Sequence, residues 1–239
     1  MDRLGIIGGL GPMATAFFLE KLIAMTEAAK DQEHVNAIVY HEPAVPDRTS
    51  FILDPQAADP GPFLIEAAKR LEQAGVSAIA IPCVTAHFFR DRIGEAVSIP
   101  VLNGVAQTAD VLEARKIRRV GIMATDGTVA SGLFQTEFDS LGITALFPDA
   151  PMQKKVMSLI YDFVKAGKEP DLRLYAEVAE ALEADGAEVV LLGCTELSVI
   201  GARHALPGKW LDVLDVLAMH CVDRFARLKE GVAENLVRG

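Results

Sequence analysis

The sequence predicts an α/β fold with two similar lobes, each a mainly parallel sheet flanked by helices. Short apolar runs rich in β-branched residues alternate with longer amphipathic runs, which is typical of parallel strands joined by helical crossovers. The two halves of the chain also contain similar segments. LGIIGG from Leu4 matches VGIMAT from Val120, and AIAIPCVT from Ala78 matches VVLLGCTE from Val189.

The spacing of these echoes indicates a duplication. The first pair is offset by 116 residues (120 − 4) and the second by 111 (189 − 78), so the halves have nearly equal internal spacing. We therefore expect a lobe containing Cys83 from residues 1–102 plus 212–239, and a lobe containing Cys194 from residues 103–211. Each lobe is expected to be Rossmann-like and pseudosymmetric with the other. The active site would lie in the cleft between them, at the carboxyl ends of the strands.

Glycine and proline punctuate the first half. Pro12 suits a first helical turn, and Gly75 suits a helix C-terminus. The stretch 41–60, rich in Pro and Asp, predicts a long loop. The expected strands are Arg3–Ile7, Asn36–Tyr40, Ala78–Ile81 and Pro100–Leu102, and the expected helices are Pro12–Ala29, Pro62–Gln73 and one from about Ala86.

The second half repeats this pattern. A Thr/Gly turn is expected at Thr125–Thr128. The expected strands are Arg119–Met123, Glu188–Leu192 and Trp210–Val213, and the expected helices are Ser131–Leu141, Met152–Lys165, Leu172–Asp185 and one from Asp215.

Composition and charge exclude several classes of function. The net charge of −10 argues against a nucleic-acid partner and means that an acidic ligand must be held by local cations. No apolar run approaches the roughly 18 residues of a membrane span, and the N-terminus lacks a secretory signal pattern. Three cysteines, an odd number, indicate reduced thiols, so we expect a cytoplasmic protein with no membrane partner. The five histidines show no paired spacing, and no metal site is expected.

Cys83 and Cys194 occupy matching positions in the two lobes. Each follows a buried strand and precedes a helix, where the helix dipole would favour the thiolate and lower the thiol pKa. Cys221 has no matching partner motif, and we interpret it as a core residue.

Two thiols facing each other across a cleft suit one kind of chemistry. One thiolate can remove the proton from a carbon while the opposite thiol returns a proton to the other face, which inverts the stereocentre. With each sulfur about 3–3.5 Å from that carbon, the sulfurs would be roughly 7 Å apart. A disulfide would instead place them about 2.05 Å apart.

Seven segments in order along the chain resemble the aspartate/glutamate racemase family, and its aspartate racemase branch in particular. They are GGLGPMAT at Gly8, DQEH at Asp31, PDRTS at Pro46, PCVTAH at Pro82, IMATDGT at Ile122, IYDFVKAG at Ile160 and GCTEL at Gly193.

The resemblance implies a racemase of L- and D-aspartate, or of a similar acidic amino acid, that needs no pyridoxal or other cofactor. It implies Cys83 and Cys194 as the two bases, and a homodimer. Arg48 and Lys165 would hold the side-chain carboxylate, and arginine in a long loop suits that role because it binds carboxylates bidentately. The remaining implied substrate-binding residues are Met13, Val84, Thr85, Thr125, Thr128, Thr195 and Glu196.

Two of the neighbouring residues leave alternatives open. His87 lies one helical turn after Cys83 and could poise the thiol, or it could be a capping or core histidine. Glu196 could polarise Cys194 or bind the substrate ammonium, or it could be an ordinary first-turn acid.

Val84 departs from the family pattern, which reads PCNTAH where this chain has PCVTAH. Valine cannot make the hydrogen bonds of an asparagine. Losing such a donor would lower turnover if it stabilises developing charge, and would raise KM if it only binds the ground state. A less polar substrate is a third alternative.

Three other functions remain as alternatives. The same fold could serve a glutamate or broad-specificity racemase, or an isomerase or decarboxylase of small acids. The chain could be a binding protein that Val84 has made inactive. The segment from Gly9 to Ala14 fits G-x-G-x-x-A of NAD-dependent enzymes, although Pro12 removes an amide where pyrophosphate would bind.

Overall fold

The computed structural model describes residues 2–239, so Met1 of the expected first lobe lies outside the described residues. The strands are β1 Leu4–Gly8, β2 Ala37–His41, β3 Ala78–Ala80, β4 Arg119–Met123, β5 Thr144–Leu146, β6 Val189–Leu192, β7 Trp210–Asp212 and β8 Val237–Arg238. The helices are α1 Pro12–Met25, α2 Arg48–Leu53, α3 Gly61–Gln73, α4 Arg90–Gly94, α5 Gly104–Ala114, α6 Asp126–Ser131, α7 Leu133–Asp139, α8 Ala150–Ser158, α9 Leu172–Ala184, α10 Thr195–Arg203 and α11 Val213–Phe225.

Two separate sheets confirm the predicted pair of α/β lobes. The first sheet has the order β2-β1-β3 and the second β5-β4-β6-β7-β8. All pairs are parallel except β7 with β8. The order β2-β1-β3 corresponds to β5-β4-β6, with the echoed segments in equivalent strands. The sequence repeat therefore encodes a structural repeat.

Alternation of side chains gives the first sheet an apolar layer on each face. Ile7 and Ile79 belong to one cluster with Leu64 of α3, whereas Leu4 belongs to another with Phe18 of α1. Because successive strand residues point to opposite faces, a strand buried on both sides is apolar throughout. The second sheet is layered in the same way, with Val120 beside Phe134 on one face and Val190 beside Tyr175 on the other.

The C-terminal segment touches both lobes. Helix α11 packs against α1 and α5, while β8 pairs with β7 at the edge of the second sheet. The sheets thus place Val237–Arg238 with the second lobe. The division of the chain at 102/103 and 211/212 stays a prediction.

Several expected elements differ from those observed. The expected loop 41–60 contains α2, because Asp47 caps a short helix by accepting from Ser50 N. The expected helix Ser131–Leu141 is observed as α7, Leu133–Asp139, whereas Ser131 ends α6, since Gly132 between them adopts the left-handed conformation with φ of 69°. The expected strand Pro100–Leu102 is a single bridge between Ile79 and Val101. Elements β5, β8 and α5 were not expected, and the helix from Pro12 ends at Met25, not Ala29.

Other segments adopt tighter or looser helices than expected. Val84–Phe89 is a 3₁₀ segment leading into α4. Leu159–Val164 is a π-helical continuation of α8. The Thr125–Thr128 turn is the cap and first turn of α6, where the Thr125 hydroxyl accepts from Thr128 N.

Gly127 lets α6 pack tightly against α2, because a Cβ at this position would lie 2.7 Å from Thr49 Cα. We expect Gly127→Ala to push the two helices apart and lower the free energy of unfolding by about 1–3 kcal/mol, as overpacking does. Gly94→Ala is the control, because nothing lies within 4 Å of that position. Denaturant titration of both variants measures the effect, and equal stability of the two would contradict it.

Candidate active site

A cavity of about 280 Å³, solvent at its mouth included, lies between the carboxyl ends of the two sheets. Cys83 follows β3 and Cys194 follows β6, and both sulfurs belong to free thiols. The lining residues are Leu10, Asp47, Arg48, Thr49, Cys83, Val84, Thr85, Thr125, Tyr161, Lys165, Cys194, Thr195 and Glu196.

The cavity brings together nine of the twelve residues singled out from the sequence. The other three are Met13, His87 and Thr128. Four lining residues were missed, namely Leu10, Asp47, Thr49 and Tyr161. A signal for three of them was present, since Asp47 and Thr49 flank Arg48 and Tyr161 lies one helical turn before Lys165.

The Cys194 thiol is hydrogen-bonded to a carboxylate. Its Sγ lies 2.9 Å from Glu196 Oε2, to which the thiol donates, and the Thr195 hydroxyl reaches the same oxygen at 3.3 Å. Burial, together with the negative charge of Glu196, raises the pKa of Cys194 well above its usual value, although Lys165 opposes this. The expectation of a lowered pKa is wrong for Cys194, because desolvation and a neighbouring anion outweigh the dipole of α10.

Cys83 lies instead beside a cation. Arg48 is held by main-chain carbonyls, with Nη2 donating to Leu10 O at 3.1 Å and Nη1 to Pro46 O at 3.0 Å. Burial alone would lower the pKa of Arg48, but negative charge on Cys83 and Asp47 holds it above the ordinary value. Arg48 Nε is buried and has no hydrogen-bond partner among residues 2–239.

Lys165 supplies a second cation near the cavity mouth. Its side chain is 26% exposed, and its Nζ lies 4.0 Å from Asp47 Oδ2 and 4.2 Å from the ring centroid of Tyr161. Burial would lower the pKa of Lys165, but Glu196 and Cys194 raise it above its usual value. The cation is therefore retained at neutral pH, beside the Asp47 carboxylate.

Three threonine hydroxyls join the lobes beneath the cavity. Thr85 Oγ1 lies 3.0 Å from Thr125 Oγ1 and 2.9 Å from Thr128 Oγ1, and the last two are 3.1 Å apart. Thr85 belongs to the first lobe, and the other two begin α6 of the second. Thr128 is fully buried behind the lining, so its hydroxyl supports the cavity wall without forming it.

His87 supports the backbone of the Cys83 turn. Its Nε2 accepts from Gly104 N at 3.1 Å, which leaves the proton on Nδ1 to donate to Cys83 O at 3.1 Å. Burial lowers the pKa of His87 to about 4, so the ring is neutral. The hydrogen bond from His87 thus reaches the Cys83 carbonyl, through which the ring supports the turn that carries the thiol.

A wider cleft opens outside the cavity and shares Asp47, Arg48, Lys165, Thr195 and Glu196 with it. Its volume is about 1660 Å³ with open solvent included. Met13 lines this cleft and is 57% exposed, so it stands at the entrance.

Other features of the chain lie away from this site. Cys221 is fully buried in an apolar cluster, where burial raises its pKa to about 12. Across residues 2–239, no three His, Cys, Asp or Glu side chains are grouped as a metal site would require. Within the same range, every helix is too short or too polar to cross a bilayer.

The neutral His87 predicts a pH dependence of stability. Its pKa in the folded state is depressed, so between about pH 6.5 and 4 only the unfolded state takes up the proton, and stabilisation present above 6.5 is lost as the pH falls. We expect the loss of unfolding free energy between pH 7 and pH 5 to be about 2 kcal/mol smaller in His87→Gln than in the wild type. The exposed His41→Gln is the control, and equal losses in all three proteins would refute the assignment.

Comparisons with known proteins agree with this geometry. A family model described as Asp/Glu/Hydantoin racemase matches residues 7–221. The broad specificity amino-acid racemase RacX of Bacillus subtilis is 26% identical over 213 residues, which are 82% of this chain and 86% of RacX. The structure of Picrophilus torridus aspartate racemase matches with a TM-score of 0.83 and 31% identity over 97% of this chain and 98% of that one. A glutamate racemase structure from Francisella tularensis, in complex with D-glutamate, shares the fold at a TM-score of 0.68 and 18% identity, covering 96% and 84% of the two chains. This chain belongs to the Asp/Glu/Hydantoin racemase family, and as a racemase it is an isomerase.

Proposed function

We propose that this racemase interconverts L- and D-aspartate, or a similar small acidic amino acid, by two-base proton transfer between Cys83 and Cys194. One observation carries the proposal. The two free thiols follow equivalent strands of the two lobes and line a single small cavity together with two cations.

The chemistry needs only the two sulfurs and the substrate. The thiolate of one cysteine takes the Cα proton and becomes a thiol, and the electron pair of the broken C–H bond stays on the substrate. The thiol of the other cysteine then gives its proton to the opposite face and becomes the thiolate. Protons and electrons balance, so the proposal includes no cofactor.

The surroundings of the two sulfurs make their resting roles different. Glu196 accepts from the Cys194 thiol and disfavours its ionisation, so Cys194 is the proton donor in the resting enzyme. The charge of Cys83 is among the causes that raise the pKa of Arg48, so this cation and this sulfur lie on the same side of the cavity. We therefore assign the first proton donation to Cys194 and the first proton abstraction to Cys83, and the roles exchange after each turnover.

Selection of an acidic substrate rests on the cations. Arg48 is fixed by carbonyl groups that occupy its Nη atoms, and its unpartnered Nε is free to donate to a carboxylate. Lys165 adds a second charge at the mouth. Glu196 and Asp47 balance these charges and could receive the substrate ammonium.

Val84 favours a second candidate, a racemase of broader specificity. It lines the cavity with an apolar side chain, buried to 5% exposure, where the related pattern has a polar one. The similarity to a Bacillus subtilis enzyme named as a broad specificity racemase is consistent with this. The substrate range is therefore the first quantity to measure.

Two further features belong to the proposal. We place the enzyme in the cytoplasm, because its three free thiols suit a reducing compartment. We also infer a homodimer, as the family resemblance implies.

Proton exchange at Cα tests the reaction directly. The reduced protein is incubated in D₂O with each L-amino acid in turn, and deuterium incorporation and D-isomer formation are followed. We expect both with aspartate, and we expect D-isomer formation to fall at least about a thousandfold in Cys83→Ala and Cys194→Ala, because each variant lacks one of the two bases that inversion needs. Cys221→Ala is the matched control, since that thiol is remote in the core.

Each outcome of this experiment has a distinct meaning. Exchange with neutral amino acids at rates equal to aspartate supports the broad-specificity candidate. No exchange with any amino acid, or full activity in Cys83→Ala, overturns the two-thiol mechanism.

Substrate selection is tested by Arg48→Lys. Lysine keeps the charge but loses the planar fork and the Nε donor, so KM for aspartate should rise about tenfold or more, as expected for about 1.4 kcal/mol of lost binding, with kcat changed much less. Arg70→Lys, an exposed position on α3, is the control. A KM equal to that of the wild type would show that Arg48 does not bind the substrate.

A further inference from the structure

A buried ion cluster that the proposed chemistry does not use lies behind Cys194. Lys21 Nζ lies 3.3 Å from Asp212 Oδ2 and forms a short hydrogen bond with Asp215 Oδ1. Arg238 Nη2 donates to Asp215 Oδ2 at 2.7 Å. Lys21, Asp212 and Asp215 are at most 8% exposed, so these three charged side chains are almost completely buried.

The cluster is connected to Cys194 through one serine. The Ser198 hydroxyl donates to Asp212 Oδ1 at 2.7 Å, and Ser198 N donates to Cys194 O at 3.1 Å. Asp212 also accepts from Leu214 N at 2.9 Å, which caps α11. A continuous chain of polar contacts thus runs from Lys21 through Asp212 and Ser198 to the Cys194 carbonyl.

The cluster also joins the two lobes. Lys21 is on α1, which starts at Pro12 directly after the Gly9–Gly11 loop. That loop contains the Leu10 carbonyl that holds Arg48. Asp212 ends β7, where it is the register partner of Leu192, two residues before Cys194. The cluster therefore connects α1, which follows the loop that holds Arg48, to β7, which pairs with the strand that precedes Cys194.

Burying such a cluster away from water has a large desolvation cost. Burial and the neighbouring Asp215 raise the pKa of Asp212 to about 6, although Lys21 opposes this. Apolar replacement of a buried ion group is often neutral or stabilising, so stability alone gives little reason to retain one. Directional contacts can instead fix the relative position of the elements they join.

We propose that Ser198 and Asp212 are positioning residues that hold the Cys194 turn in register with the Arg48 and Cys83 side of the cavity, through the contact of Asp212 with Lys21. The inference rests on the proposed function for its kinetic consequence, but not for its structural one. Neither residue lines the cavity, and they act through the Cys194 main chain.

Ser198→Ala is the sharpest test, because it removes one hydroxyl and leaves the ion cluster and the Ser198 main chain in place. We expect kcat for racemisation to fall about tenfold or more, with KM within about threefold, as a misplaced base would produce. The rate at which iodoacetamide alkylates Cys194, read by peptide mass spectrometry, should change at least about threefold, with Cys83 unchanged.

Thr26→Val is the matched control. It also removes one buried hydroxyl, which donates to Leu22 O at the far end of α1, and it should change neither quantity. Thermal unfolding of both variants separates positioning from general loss of stability. Wild-type kcat and wild-type Cys194 alkylation in Ser198→Ala would overturn the proposal, and so would equal changes at both cysteines.

Two further arms keep the test decisive. If Ser198→Ala does not fold, Asp212→Asn is judged by the same readouts, since it weakens the bond from Ser198 and removes the charge that Lys21 binds. Unchanged Cys194 alkylation in that variant overturns the proposal. If the wild type racemises nothing, the proposed function fails, whereas the alkylation rates still decide the positioning role.

Discussion

The separation of Cys83 from Cys194 is the constraint on which the rest of the structure depends. The two sulfurs follow strands of different sheets, and within residues 2–239 no strand pairing links those sheets. Their separation must therefore be set by side-chain and helix contacts across the lobes. The threonine hydroxyls at 85, 125 and 128, the close approach of Gly127 to Thr49, and the Lys21 cluster are three such contacts. The first two involve the first turn of α6, and the third joins α1 to the end of β7, so the lobes are held together at two separate places.

The cations in the cavity oppose the negative net charge of the whole molecule. A net charge of −10 repels an acidic substrate at long range, but such a field is screened over about 8–10 Å at physiological ionic strength. Inside that distance, Arg48 and Lys165 determine the local potential. Asp47 stays ionised because Ser50 N–H, Lys165 and Arg48 lower its pKa more than burial raises it. The cavity thus presents paired charges of both signs, which suits a substrate that carries an ammonium and two carboxylates.

Much of the fold could be predicted because its signals are local. Buried parallel strands are short apolar runs, and the duplicated LGIIGG and VGIMAT segments identified equivalent strands without any alignment. The errors occurred where tertiary contacts decide. Strand β5 is only three residues long and paired on one side, and α2 forms within a Pro- and Asp-rich stretch because Asp47 caps it. The Gly9–Ala14 match to a dinucleotide pattern shows the limit of short motifs, since the family comparison places the chain among racemases.

The residues that form the site could be predicted from the sequence more readily than their ionisation and hydrogen bonding. Sequence position could show that Cys194 precedes a helix, but the effect of Glu196 on its ionisation depends on a side-chain rotamer that brings Oε2 within 2.9 Å of the sulfur. By its spacing His87 could either poise Cys83 or serve as a capping or core histidine, and the structure shows that main-chain partners occupy both of its ring nitrogens.

Val84 links the polarity of the cavity to the packing of the lobes. It lines the cavity, and it also belongs to the apolar cluster of the second lobe that contains Val105 and Ala109. An asparagine there would gain hydrogen-bonding groups toward the substrate but would place an amide against that cluster, where an unpaired polar group costs roughly 1–3 kcal/mol. The same side chain therefore affects both the polarity of the cavity and the packing of the Cys83 turn against the opposite lobe. A substitution at this position would therefore affect the contact between the lobes as well as the polarity of the cavity.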